Sequence, residues 1–175
     1  MTNPEIIERV LDAEGRDKYV ENPDPTKWGI TGGGLAEKLG RIPTTEEIRA
    51  LTHEDAVAFY EWLLEHSRIG RIVNDDLRWL VFDAAVHLGH GQAIKLLQRS
   101  LGLKDDGVIG SVTLAALPHL DASRLVLRFL AAQVRFYTLL ATTKKEDRDK
   151  NGIPDQLQWN PGYMNRVAEK MEALT

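Results

Sequence analysis

Apolar and polar residues alternate with a helical period over most of the chain. Near its start, Ile7, Val10 and Leu11 recur at spacings of three and four, which is the stripe that an α-helix turns towards a core. Pro4 suits the first helical position, and Gly15 suits the end of a helix. The pattern predicts one short helix between them.

The same period, together with capping signals, predicts further helices. Threonine followed three residues later by an acidic residue is typical of a helix start, and this spacing occurs at Thr44 and Thr52. Glycines at 40 and 102 are expected to end two of the helices. The predicted segments after the first are 35–39, a short helix after Thr44, 56–65, 77–88, 92–101, 111–117, 122–141 and 162–174.

Residues 18–34 interrupt this helical pattern. They are rich in Pro, Gly, Asp and Thr, and their strand-like pieces are 19–20 and 28–31. We expect a short hairpin or an irregular loop, with the glycine run at 32–34 as a flexible link. The predicted fold class is mainly α, with a small loop or hairpin element beside the first helix.

Composition narrows the classes of protein that the chain fits. Its 175 residues suit one compact domain, and the absence of cysteine excludes disulfides and thiol chemistry. No basic aromatic stripe indicates nucleic acid binding, and no apolar run is long enough for stable membrane insertion. The start of the chain lacks the pattern of a signal peptide. We therefore expect a monomer that is made in the cytoplasm.

Charge is distributed unevenly along the chain. Residues 1–85 carry 10 basic and 17 acidic side chains, whereas residues 86–175 carry 12 basic and 9 acidic ones. In the second half, Arg124, Arg128 and Arg135 lie opposite an apolar stripe on a predicted helix. A mildly basic half is suited to an anionic polymer, although a difference this small also arises by chance.

Glu14 is the candidate functional residue on the first helix. It continues the apolar stripe, so its carboxylate is expected to face the core in the last helical turn. Loss of water and the negative end of the helix dipole both disfavour its charge. An acid that keeps its proton near neutral pH is what glycoside cleavage needs, because the leaving sugar oxygen must receive a proton. The structural alternative is an ion pair with Arg16 or Lys18.

The residues after Glu14 resemble the signature of glycoside hydrolase family 108, which comprises phage endolysins and related bacterial muramidases. The similarity lies in Glu14-Gly15, in Tyr-Val at 19–20, in Asn-Pro-Asp-Pro at 22–25 and above all in Thr-Lys-Trp-Gly-Ile-Thr at 26–31. The signature glutamate of that family is its catalytic acid. The resemblance therefore implies this role for Glu14, and the helical architecture is expected to be lysozyme-like.

A second stretch resembles the predicted peptidoglycan-binding segment that follows the catalytic part in these enzymes. It comprises residues 96–103, 106–110 and 113–117. We therefore expect a catalytic lobe over 1–88 and a helical peptidoglycan-binding-like segment over 89–175. No Pro/Ser-rich linker separates them, so the two are expected to pack together as one compact unit.

The resemblance implies a muramidase, which hydrolyses the β-1,4 bond between N-acetylmuramic acid and N-acetylglucosamine in peptidoglycan, and an endolysin's role in lysis of the host cell. Glu14 would protonate the leaving oxygen, while Asp24 or Thr26 would position water or stabilise charge. Both are also good turn residues, which is their structural alternative. A lytic transglycosylase, a non-catalytic wall-binding module and a bacterial muramidase that serves protein export stay open. The chemistry requires no cofactor, and an enzyme of this kind would reach the wall after release from the cytoplasm.

Three residues are candidate substrate contacts. Tyr19 and Trp28 have rings that could stack on sugars, although buried aromatic residues are as often part of a core. Thr31 closes the signature motif and is placed with them. Elsewhere, His87 and His90 are three residues apart at a predicted helix end, but without a third ligand this spacing does not favour zinc.

A calcium-loop spacing occurs late in the chain. Oxygen donors fall at loop positions 1, 3, 5, 7 and 9, with glycine at position 6 and Gln158 where a bidentate glutamate is usual. The candidate ligands are Asp147, Asp149, Asn151, the carbonyl of Ile153, and Asp155. A structural calcium site and a solvated charged loop are equally good interpretations of this pattern.

Overall fold

The chain folds mainly as α-helices, as its periodicity predicts. The computed structural model describes residues 1–21, 24–143 and 155–174. Within these ranges the helices are α1 (Asn3–Ala13), α2 (Gly32–Leu39), α3 (Thr45–Arg49), α4 (His53–His66), α5 (Asp75–Leu88), α6 (His90–Leu101), α7 (Ser111–Ala116), α8 (Ala122–Thr143) and α9 (Asp155–Glu172). Short 3-10 turns cover Ile69–Arg71 and Leu117–His119.

Capping interactions explain where the first helices begin. Thr2 is the N-cap of α1, because its side chain and that of Glu5 form a reciprocal capping box. The boxes predicted at Thr44 and Thr52 are both present, and they begin α3 and α4. These side chains bind backbone N–H groups that have no partner inside the helix.

The segment between α1 and α2 forms a small antiparallel sheet. Its strands are β1 (Tyr19–Val20), β2 (Thr26–Lys27) and β3 (Ile30–Thr31), in the order β1-β2-β3. The predicted flexible link at 32–34 is wrong. Those three glycines form the first turn of α2, because the hydroxyl of Thr31 accepts a hydrogen bond from the Gly34 N–H and so caps the helix.

Helix α5 lies at the centre of the molecule. It packs against α6 and α8, and α9 packs along α8. One continuous core joins the two parts of the chain, and it includes Ile7, Tyr60, Phe82 and Phe129. The last helix therefore lies close enough to the first to contribute side chains to the same site.

Within the described residues, none of the helices combines the length and the apolar character that crossing a membrane requires.

Candidate active site

Glu14 lies at the C-terminal end of α1, where it is the capping residue. Its side chain is 15% exposed, in agreement with its position on the stripe that faces the core. Arg16 does not pair with it and instead contacts Glu8 and Asp12 on the outer face of α1. The partner of Glu14 comes from the far end of the sequence.

Two side chains lie close to the same carboxylate oxygen of Glu14. Arg166, on α9, donates a hydrogen bond from Nη2 to Oε1 over 2.8 Å. His87, in the last turn of α5, places Nε2 at 3.2 Å from Oε1, although its N–H is not aligned as a hydrogen bond. The guanidinium favours a charged carboxylate, an effect that opposes those expected from burial and the helix dipole. Oε1 is thus held in place by residues from α5 and α9.

Arg166 is in turn held by Asp83, an almost fully buried carboxylate on α5. Its Nη2 lies 2.9 Å from Oδ1 of Asp83, and Lys170, one helical turn further along α9, pairs with Oδ2. Burial raises the pKa of Asp83, but the charges of Lys170 and Arg166 outweigh that effect and bring the pKa below its ordinary value. Asp83 is therefore ionised, and it holds two cations of α9 in place: Lys170 and Arg166, the latter in contact with Glu14.

His87 and Tyr60 are neutral neighbours of the carboxylate. Burial lowers the pKa of His87 below 6.5, although Asp83 and Glu14 act in the opposite direction. Burial also raises the pKa of Tyr60, whose hydroxyl donates to the carbonyl of Trp28 over 2.7 Å. Near neutral pH, Arg166 is then the cation in direct contact with Glu14.

The β2–β3 turn places backbone directly against Glu14. Trp28 and Gly29 are its two central residues, both with positive φ (57° and 76°), as a type I′ turn requires. A Cβ added to Gly29 would lie 2.5 Å from Cγ of Glu14 and 2.8 Å from the hydroxyl oxygen of Tyr60. Glycine is needed here for its backbone conformation and for the space that Glu14 occupies.

We expect the main effect of Gly29→Ala to be a loss of turnover and not a loss of thermal stability. The new methyl group must displace the Glu14 side chain, and a shift of about 1 Å at a reacting group can cost about 100-fold in rate. Gly40→Ala is the matched control: its φ is also positive (67°), but no atom lies within 4 Å of the added Cβ. Assays of turnover and thermal unfolding on both variants separate the contact from the backbone strain. Equal losses of turnover would contradict the role given to Gly29.

A cleft of about 240 Å³ opens beside this arrangement. Gly29 and His87, both next to Glu14, line it, together with Thr31 at the start of α2. Trp62 of α4 and His90 of α6 line it as well. The cleft is thus bordered both by the two neighbours of Glu14 and by side chains of α4 and α6.

The structure separates the three predicted substrate contacts. Thr31 lines the cleft. Tyr19 is half-buried on β1, with the guanidinium of Arg49 5.0 Å from its ring centre. Trp28 is only 7% exposed and donates its indole N–H to the carbonyl of Leu51. A ring this buried belongs to the core, so Trp28 shapes the turn against Glu14 rather than stacking on a sugar.

Asp24 lies just before β2, and Thr26 is the first residue of that strand. Asp24 is exposed, and its carbonyl accepts the hydroxyl of Thr26 over 3.0 Å. Among the contacts described for this part of the chain, none joins either side chain to Glu14. Their assistance in catalysis stays a prediction.

The predicted calcium ligands Asp147, Asp149, Asn151 and Ile153 lie outside the described residues. Asp155 is the first residue of α9, but its side chain is also outside the described part. The calcium prediction is therefore untested.

Two segments of the chain match known families. Residues 7–89 match the family described as Glycosyl hydrolase 108. Residues 92–167 match a model described as Predicted Peptidoglycan domain. Together these matches support a glycoside hydrolase that degrades peptidoglycan, with its place of action at the cell wall. Glu14, Gly29 and His87 all fall within the glycosyl hydrolase match, whereas Arg166 falls within the second match.

A solved structure, that of Brucella abortus SagA, is similar over almost the whole chain. The TM-score is 0.80 and the sequence identity 26%, with 98% of this chain and 93% of the SagA chain covered. This similarity agrees with the predicted lysozyme-like helical fold. Among curated proteins, no sequence is significantly similar to this chain.

Proposed function

We propose that the protein is a muramidase that hydrolyses the β-1,4 bond between N-acetylmuramic acid and N-acetylglucosamine, with Glu14 as the general acid. The observation that carries the proposal is a largely buried carboxylate, positioned by Arg166 and by the Gly29 turn, beside a cleft in the segment that matches a glycosidase family. A glycosidase needs a proton donor fixed at the bond that breaks.

The two oxygens of Glu14 would have different roles. A protonated carboxyl group has one O–H donor and a second oxygen that still accepts. Oε1 accepts a hydrogen bond from Arg166. We therefore place the proton on Oε2, which would transfer it to the leaving sugar oxygen. The guanidinium would then stabilise the carboxylate that remains after transfer.

Hydrolysis also consumes a water molecule, which either attacks the sugar carbon directly or cleaves the covalent intermediate that a carboxylate nucleophile has formed. We retain Asp24 and Thr26 as the groups that would position water, because Asp24 lies just before the hairpin beside Glu14 and Thr26 begins its first strand. A lytic transglycosylase, which needs one acid and forms an anhydro sugar, remains the enzymatic alternative. The chemistry proposed for Glu14 uses neither a metal nor another cofactor.

Digestion of purified peptidoglycan tests the bond that is cleaved. After digestion, borohydride converts each new reducing end to its sugar alcohol. We expect the alcohol of N-acetylmuramic acid. The alcohol of N-acetylglucosamine would assign the opposite bond, and intact sacculi that retain bound protein would favour a wall-binding module.

A basic groove between α6 and α8 is our candidate for holding the wall polymer. It encloses about 560 Å³ and is lined by Arg99, Arg128 and Arg135. Arg99 is paired with Asp105, and Arg128 makes one long hydrogen bond of 3.4 Å to the carbonyl of Ser100. The groove lies in the segment that matches the peptidoglycan domain, and its charge suits the carboxylates of wall peptides.

We expect the double substitution Arg128→Gln and Arg135→Gln to weaken binding to sacculi. Surface ion pairs contribute roughly 0.2–1 kcal/mol each, so loss of two corresponds to a decrease in affinity for sacculi of about 2- to 30-fold. Sedimentation at several salt concentrations measures this effect, and the variant should also depend less on salt. Arg41→Gln with Arg71→Gln, which changes the net charge equally in the first part of the chain, is the control. Equal effects of the two pairs would contradict a specific groove.

The biological setting proposed is lysis of a host cell by a phage endolysin that acts as a monomer. It follows from the resemblance of the residues around Glu14 to the endolysin signature. Release of cell contents after expression together with a membrane-permeabilising protein, and no release without it, would support this setting.

A further inference from the structure

Two histidines and a glutamate from three different helices converge at the lip of the cleft. Glu37 lies in α2, His66 is the last residue of α4 and His90 is the first residue of α6. Their nearest ligand atoms all lie within 4.8 Å of one another. The sequence spacing of His87 and His90 did not favour zinc, and the two residues are separate in the structure: His87 contacts Glu14, whereas His90 approaches Glu37.

The distances between these atoms suit one small ion. Nε2 of His66 lies 3.4 Å from Oε1 of Glu37, and Nε2 of His90 lies 3.7 Å from the same oxygen. In a tetrahedral zinc site with bonds of about 2.0–2.1 Å, neighbouring ligand atoms are roughly 3.3 Å apart. Movements of a few tenths of an ångström would bring each histidine to that distance from Glu37, and the two histidines, whose ligand atoms lie within 4.8 Å of each other, would have to close by at most roughly 1.5 Å.

Aromatic contacts hold the two imidazole rings in place. His66 stacks on Trp62, with ring centres 4.7 Å apart and an angle of 19° between the planes. The ring of His90 meets that of His66 edge to face at 5.7 Å. The negative end of the α4 dipole, at His66, also favours a cation, whereas the positive end of α6, at His90, opposes one. The carboxylate of Glu37 adds a full negative charge between them.

We propose that Glu37, His66 and His90 bind a zinc ion. Two imidazoles and one carboxylate form a donor set that suits zinc better than calcium or magnesium, which prefer oxygen ligands. Three protein ligands leave a fourth position for water. The ion would cross-link α2, α4 and α6 at the lip of the cleft. Glu37 and His66 lie within the segment that matches the glycosyl hydrolase family, and His90 is the first residue after that segment. The ion would therefore connect this segment to the start of α6.

Zinc titration of tag-free, full-length protein tests this site. We expect one zinc ion per chain and a rise in melting temperature with zinc concentration, because an ion that binds only the folded state stabilises it. Loss of a residue that only orients a metal ligand weakens metal affinity about 10- to 100-fold, so His66→Ala, His90→Ala and Glu37→Gln should each weaken it at least tenfold. His119→Ala, which removes an exposed histidine elsewhere, should bind like the wild type.

Three results would contradict the site. The first is the absence of saturable binding at zinc concentrations up to about 0.1 mM. The second is zinc binding that survives in the His66→Ala and His90→Ala double variant. The third is a preference for calcium or magnesium over zinc. Glu14→Gln should bind zinc unchanged, because Glu14 is not a ligand. Zinc binding therefore tests the site whether or not the proposed muramidase activity is correct.

Discussion

Replacement of Glu14 by glutamine is expected to reduce turnover by about 10²- to 10⁴-fold, since loss of a general acid costs this much in rate. The amide keeps the size of the side chain and still accepts from Arg166 through its oxygen, but it has no acidic proton for the leaving sugar. Release of soluble fragments from sacculi at equal enzyme concentration measures the loss. Circular dichroism and thermal unfolding show whether the chain stays folded.

Glu8→Gln is the matched control for this change. Glu8 lies on the same helix, is half-exposed, and pairs with Arg16 and His53 on the outer face. Its variant should retain turnover close to that of the wild type. If Glu14→Gln digests sacculi as fast as Glu8→Gln does, Glu14 is a structural residue.

Asp83→Asn is expected to cause the largest loss of stability, about 3–5 kcal/mol, which is typical when one partner of a buried ion pair is removed. Asp83 and Lys170 have side chains that are 3% and 4% exposed. The neutral amide would leave the Lys170 ammonium buried without its counter-ion and would loosen Arg166. Chemical denaturation near neutral pH measures the difference from the wild type.

This stabilisation should depend on pH in a defined direction. The folded-state pKa of Asp83 lies below its ordinary value of 3.8, so between the two values the folded chain binds fewer protons than the unfolded one. Its contribution is present above about pH 4 and is lost as the pH falls through the folded-state pKa. The gap in unfolding free energy between the wild type and Asp83→Asn should therefore narrow in acid.

Asp105→Asn is the control for the ion pair of Asp83. Asp105 pairs with Arg99 on the surface, where such a pair contributes roughly 0–1 kcal/mol. A loss for Asp83→Asn as small as that for Asp105→Asn would show that the buried network does not hold α9 in place.

Local signals predicted the helices well, because periodicity and caps act within a few residues. Thr44, Thr52 and Gly40 each begin or end a helix where expected. The glycines at 32–34 were misinterpreted, since glycine disfavours a helix by itself. Thr31 caps that turn, and Leu35 packs in the core, so tertiary contacts outweigh propensity there.

The candidate site was predictable only in its local part. The sequence predicted a small hairpin or loop element beside the helix that carries Glu14, but it assigned 28–31 to a strand, whereas Trp28 and Gly29 form the turn. Arg166 lies 152 residues from Glu14, and no spacing rule joins them. The sequence did contain a signal for Asp83. A charged residue within the apolar run of α5 indicates a buried ion pair, but this pattern does not identify the partner.

Product analysis of a digest in oxygen-18 water tests the muramidase proposal most directly. A hydrolase that uses Glu14 as its acid and water as the nucleophile should place the label on the new reducing end of N-acetylmuramic acid, as mass spectrometry of the fragments would show. Unlabelled anhydro-muramic ends, or the same labelled ends at wild-type rate from Glu14→Gln, would contradict it.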